Sequence, residues 1–132
     1  MTIVGFNFTK ILVEKKKPVK GKISINNNVM IKNVVESKLN VGNDKKSLQI
    51  SFLYTALYEP GIGGIELSGE MVFLVDDAKA KEVLDSWKKK KVLPENTRNE
   101  IMNSVLNKCS IQSLILSKDM NLPSPIPLPK IK

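Results

Sequence analysis

Two stretches between Leu48 and Val75 constrain this chain more than anything else in it. In the first, Leu48, Ile50, Phe52, Tyr54, Ala56 and Tyr58 fall on one side of an extended backbone. Gln49, Ser51, Thr55 and Glu59 fall on the other, together with Leu53 and Leu57. In the second, Ile65, Leu67, Gly69, Met71, Phe73 and Val75 oppose Glu66, Ser68 and Glu70. Successive side chains of a strand point to opposite faces, so period-two alternation of this length predicts two half-buried antiparallel strands. Glu59-Pro60-Gly61-Ile62-Gly63-Gly64 joins them. These glycines superficially resemble a phosphate-binding loop, but such a loop ends in Lys-Ser/Thr and opens a helix, whereas this one runs into a strand.

The rest of the chain is read around that hairpin. Thr2–Glu14 carries Val4, Phe6, Phe8 and Ile11-Leu12-Val13, with a change of phase near Thr9-Lys10 that suggests a bulge. Lys15-Lys16-Lys17-Pro18 breaks it. From Lys22 to Leu39 the alternation is interrupted at Asn26-Asn27-Asn28, which predicts one long irregular strand bulged or twisted at the asparagines, with a hairpin turn there as the other option. Val41–Lys46 has loop composition. Asp76-Asp77 is a favourable helix start, and Ala78–Lys91 follows with Ala80, Val83, Leu84 and Trp87 at helical spacing and lysines at its negative end. After the linker Val92-Leu93-Pro94, Thr97-Arg98-Asn99-Glu100 has the form of a capping box. The helix it would open carries Ile101, Met102, Val105, Leu106 and Cys109 on one face. Ile111, Leu114, Ile115 and Leu116 continue it around other faces to about Asp119, with a bend near Ser110 as an alternative. From Leu122 to Lys132, prolines at 123, 125, 127 and 129 exclude helix and favour an extended, polyproline-like tail. Leu122, Ile126, Leu128 and Ile131 make that tail apolar enough to pack along the body or a neighbouring subunit.

The expected fold is therefore α+β: a four-stranded antiparallel sheet followed by a short and a long helix packed on one face. It forms a single domain over 1–132, with the sheet in 1–75, the helices in 76–120 and the tail in 121–132. A chain of 132 residues can bury a core without metals or disulfides, and its single cysteine forms no intrachain bridge. No segment has the build of a secretory signal or the length of a membrane helix, so the expected compartment is the cytoplasm, with no membrane insertion.

Chemistry is scarce. The chain has no histidine, which removes the commonest general base and zinc ligand. Glu66 and Glu70, and Glu82 and Asp85, lie among solvent-side residues. Cys109 sits on an apolar helix face, where a thiol is inert. Neither an enzyme nor a cofactor is expected. The net charge of +8 favours anionic partners, although the lysines are dispersed and Arg98 is the only arginine.

The order of four strands, helix, linker, helix and extended tail resembles the SecB-type export chaperones. Local segments agree: Phe6–Glu14 resembles that family's first strand, Leu48–Glu59 its third, Gly69–Val75 its fourth, Arg98–Lys108 the start of its long helix, and Leu122–Pro129 its Leu- and Pro-bearing tail. The resemblance implies a holdase that binds unfolded or export-bound polypeptides over an apolar groove, without ATP or metal. It also implies a dimer or a dimer of dimers, built partly through edge strands and long helices. Client contacts would lie at the sheet–helix rim, at Tyr58, Ile62, Trp87, Leu122 and Ile126. Family members are acidic, so the charge of +8 speaks against docking on the translocation motor. The alternative is a small basic RNA- or ribosome-associated protein contacting nucleic acid through Lys15, Lys16, Lys17, Lys88, Lys89, Lys90 and Lys91.

Overall fold

The computed structural model describes residues 2–37 and 45–126. The strands are β1 (Thr2–Lys15), β2 (Ser24–Glu36), β3 (Lys45–Glu59) and β4 (Gly63–Asp76), and the helices are α1 (Asp77–Lys90) and α2 (Glu95–Asp119). The strands form one antiparallel sheet in the order β1-β4-β3-β2, so the hairpin that dominates the sequence is its centre and β1 and β2 are its edges. This is the α+β architecture expected. The loop expected at Val41–Asp44 and the tail positions Leu128 and Ile131 lie outside the described residues.

Alternation in β3 and β4 becomes burial. Leu48, Ile50, Phe52, Tyr54, Ala56 and Tyr58 are buried on the inner face, as are Ile65, Leu67, Met71, Phe73 and Val75. Gly69 pairs with Phe8 on one side and Phe52 on the other. A Cβ there would collide with the Asn7 carbonyl oxygen and the Phe52 ring. Its absence lets the rings of Phe6 and Phe8 close on Phe52, with centroids 5.1 Å and 6.2 Å away. The β3–β4 connection is short. Gly61 takes φ +61°, and Ile62 turns inward, its N–H donating to the Tyr58 carbonyl at 3.0 Å. It is a hairpin, with no feature of a phosphate loop.

The edges are less regular. In β1 the register shifts between Phe8 and Lys10, at the expected bulge, and again between Ile3 and Gly5. β2 is one strand, but its shift falls between Ile31 and Asn33. The bulge or twist expected at Asn26–Asn28 is thus corrected: the triplet pairs regularly with Leu57, Ala56 and Thr55. A polar residue does not break a ladder that only its backbone makes. Lys45 and Lys46, assigned by composition to a loop, belong to β3 and pair with Asp76 and Val75.

Asp76 caps α1, accepting from the Lys79 N–H at 2.8 Å, and Lys91 ends it in the left-handed conformation. The capping box at Thr97–Glu100 does not form. Pro94 precedes α2 with extended ψ, so the helix begins at Glu95 and Thr97 already lies inside its first turn. Its Oγ1 has no hydrogen-bond partner among the described residues. α2 then runs without a break to Asp119. Its buried stripe recurs every four residues: Thr97, Ile101, Val105, Cys109, Ser113, Ser117. The two serines enter the core because each donates back to its own helix, to the Ser110 and Leu114 carbonyls at 2.9 Å. The apolar residues beside them, Ile111 and Ile115, are left 55% and 51% exposed.

Candidate functional site

Both helices and the tail lie on the inner face of the sheet, and the rim beside β2 collects most of what could bind another molecule. Past Asp119 the chain reverses through Asn121, at φ 55°, with Leu122 N–H donating to the Ser117 carbonyl at 2.8 Å. The tail then extends across the inner face. Leu122 and Pro125 are buried, and Ile126 is half-buried. Proline has no N–H, so the tail is held through its carbonyls. Tyr58 Oη donates to the Pro123 carbonyl at 2.7 Å, and Asn27 Nδ2 donates to the Pro125 carbonyl at 2.8 Å. Asn27 is fixed in turn by its other amide atom, since Tyr54 Oη donates to Asn27 Oδ1 at 3.2 Å and lies 3.5 Å from Ser113 Oγ. A single polar chain thus links α2, the sheet and the tail, from the buried Ser113 outward to the exposed Asn27.

Burial keeps these groups neutral. Desolvation pushes the Tyr58 phenol up to about 12, helped by neighbouring Tyr54, and raises the Tyr54 phenol against the opposing hydrogen bond from Ser113. The Cys109 thiol is likewise pushed up to about 12 by burial, so it carries no thiolate to act as a nucleophile. Among the described residues no group of His, Cys, Asp and Glu could hold a metal ion, and no helix is long and apolar enough to cross a membrane.

Two apolar grooves flank this network along β2. One, of about 410 Å3, lies between β2 and α2 and is lined by Val29, Met102 and Leu106, with Ile126 of the tail in its wall. The other, of about 560 Å3, lies between β2 and α1; Val34, Ala80, Leu84 and Trp87 give it an apolar floor, and Glu36, Lys46, Asp77, Lys81, Asp85 and Lys88 give it a charged border of both signs. Trp87 Nε1 has no hydrogen-bond partner among the described residues.

The expected client contacts therefore separate. Ile126 and Trp87 border grooves. Tyr58, Ile62 and Leu122 are sealed in the core, with relative exposures of 0%, 3% and 7%, and present no side chain to a client in this packing. Tyr58 acts on the tail instead. Tyr58 is buried as the alternation of β3 predicts, with the tail completing its cover, and the loop folds Ile62 under itself. Asn27, Tyr54 and Leu106 went unmarked as functional. Only Leu106 had a sequence signal, as a member of the apolar face of the long helix. The lysine runs do not merge. Lys15 pairs with Gly63 at the level of Tyr58, and its Nζ donates to the Met120 carbonyl at 3.1 Å. Lys88 lines the α1 groove with Glu36, at the level of Leu48. These levels are about 33 Å apart along β3. Lys89 and Lys90 close α1, and Lys91 Nζ stands 5.6 Å from the Trp87 ring centroid.

The opposite flank, beside β1, is barer. Phe6, Phe8 and Val13 are only partly covered, and Ile11 is 48% exposed. Lys108 Nζ lies 5.9 Å from the Phe6 ring centroid. Ile111 and Ile115, three and seven residues on, share that helix face.

Comparison of the chain with protein families, with curated proteins and with solved structures found no match.

Proposed function

We propose that this protein is a SecB-like holdase that binds unfolded polypeptides without ATP, as an oligomer of identical chains. The observation that carries the reading is the pair of apolar grooves along the β2 rim, lined by Val29, Met102 and Leu106 and by Val34, Leu84 and Trp87. Grooves of this kind accept apolar side chains of an extended segment while leaving its backbone near a free sheet edge. The unassisted burial of such side chains needs no nucleotide, and its strength depends little on salt. The bare β1 flank supports self-association, since Ile11, Ile111 and Ile115 are left open beside an unpaired edge strand.

The separation of Lys15–Lys17 from Lys88–Lys91 is why nucleic-acid binding is the second reading. The test is suppression of aggregation of a chemically denatured client at two ionic strengths. A holdase acts similarly at both. An RNA-binding protein leaves the client to aggregate and binds RNA with an affinity that falls steeply with salt.

A further inference from the structure

We infer that the chain's own tail, Leu122–Ile126, is the resident ligand of the inner sheet face beside β2, where it borders the β2–α2 groove, and that a client enters by displacing it. The inference rests on the holdase reading for the client's identity, but not for the tail's. The occupant is already in place. Ile126 forms part of the groove wall beside Val29 and Leu106, and Leu122 is buried at the tail's start. Between them the Pro123 and Pro125 carbonyls accept from Tyr58 and Asn27. Apolar anchors separated by carbonyls held from one side are a mode of extended-peptide recognition, and the prolines hold the segment extended at small ordering cost.

The same prolines keep the tail a weak ligand. Without N–H groups at 123 and 125 it cannot pair with the β2 backbone as a strand would. The outermost donor, Asn27, is itself exposed, so water can replace its bond to Pro125. An ordinary segment with apolar residues and free N–H groups offers both the anchors and the ladder. Such a segment outcompetes the tail once its concentration exceeds a threshold that the tail sets.

The experiment uses the full chain, wild type and carrying Leu122→Ser with Ile126→Ser. These changes loosen the tail and spare Val29, Met102 and Leu106. The probe is a labelled synthetic peptide with the sequence of residues 121–129, followed by fluorescence anisotropy. The peptide is expected to bind the variant at least tenfold more tightly than wild type, and an unfolded client is expected to compete it off. Ile126→Ser alone is expected to give a smaller increase in the same direction. Equal peptide binding to wild type and all variants would overturn the tail's role as ligand. Peptide and client bound together would overturn displacement. Failure of wild type and variants alike to suppress aggregation would remove the holdase reading, and with it the gating of clients, even where peptide binding stands.

Discussion

The two flanks of the inner sheet face are covered in different ways. Beside β2 the cover is a strap held by polar contacts: Tyr58 and Asn27 donate to the tail's carbonyls, and Ser113 and Tyr54 brace Asn27 from behind. Beside β1 no such network exists among the described residues. Aromatic rings and isoleucines stand half-open, with Lys108 over Phe6. Hydrogen bonds at a rim exchange with water at little net cost. Open apolar surface beside an unpaired edge strand is a surface that another chain can cover. On the holdase reading proposed above, the β2 flank would serve transient ligands and the β1 flank a permanent neighbour.

The largest expected effect breaks the β1 side. Replacing Ile111 and Ile115 with lysine puts two charges where apolar anchors would meet a second chain. Interface anchors contribute about 2 kcal/mol or more each, so self-association should weaken by about a thousandfold. Light scattering should report the monomer mass for the variant and a multiple of it for wild type. An unchanged mass would move the interface elsewhere.

Next in size is the aromatic cluster beneath that flank. Gly69→Ala inserts a methyl group against the Asn7 carbonyl and the Phe52 ring. Overpacking of this kind costs about 1–3 kcal/mol, which a lower denaturant midpoint in urea would register. The β2 grooves should keep their ligand preference in the fraction that remains folded.

Tyr58→Phe acts on the other flank and should be milder. It removes the donor to the Pro123 carbonyl and leaves the ring packed, at a cost of about 1–2 kcal/mol. Its mark should be local: amide exchange at Leu122 speeds up, while exchange in the centre of β3 does not change.

The smallest effect sharpens the same point through pH. Tyr58 and Tyr54 have raised phenol pKa values in the fold, the former about 12 against an ordinary value of 10.0. Between those values the folded state holds more protons than the unfolded one, so stability falls as pH rises. The contribution should be complete below pH 10 and lost toward pH 12. In the Tyr58→Phe variant the alkaline decline should be shallower.

What was legible in the sequence follows the number of constraints on each segment. β3 and β4 are paired on both sides and packed on one face, so every second residue had to be apolar, and the pattern is unambiguous. The bulge of β1 at Thr9 was readable because the apolar phase itself shifts. β2 was readable as a strand, but not the use of its asparagines, because Asn27 serves a tail 98 residues away. The start of α2 was misread because Thr97 and Glu100 have the right spacing, while Pro94 already sets the first turn. The site divides in the same manner. Trp87 and Ile126, which only the family resemblance placed at the rim, border grooves. Tyr58 and Leu122 were expected as contacts from the resemblance alone, and the path of the tail buries both.

The most direct test of the central claim is the aggregation of a denatured client in the presence of wild-type protein and of Leu106→Asp, which places a charge in the β2–α2 groove. Wild type is expected to suppress aggregation to a similar extent at low and moderate salt, and Leu106→Asp, still folded, to lose most of that capacity. Suppression that disappears with added salt, or that survives Leu106→Asp intact, would contradict the claim.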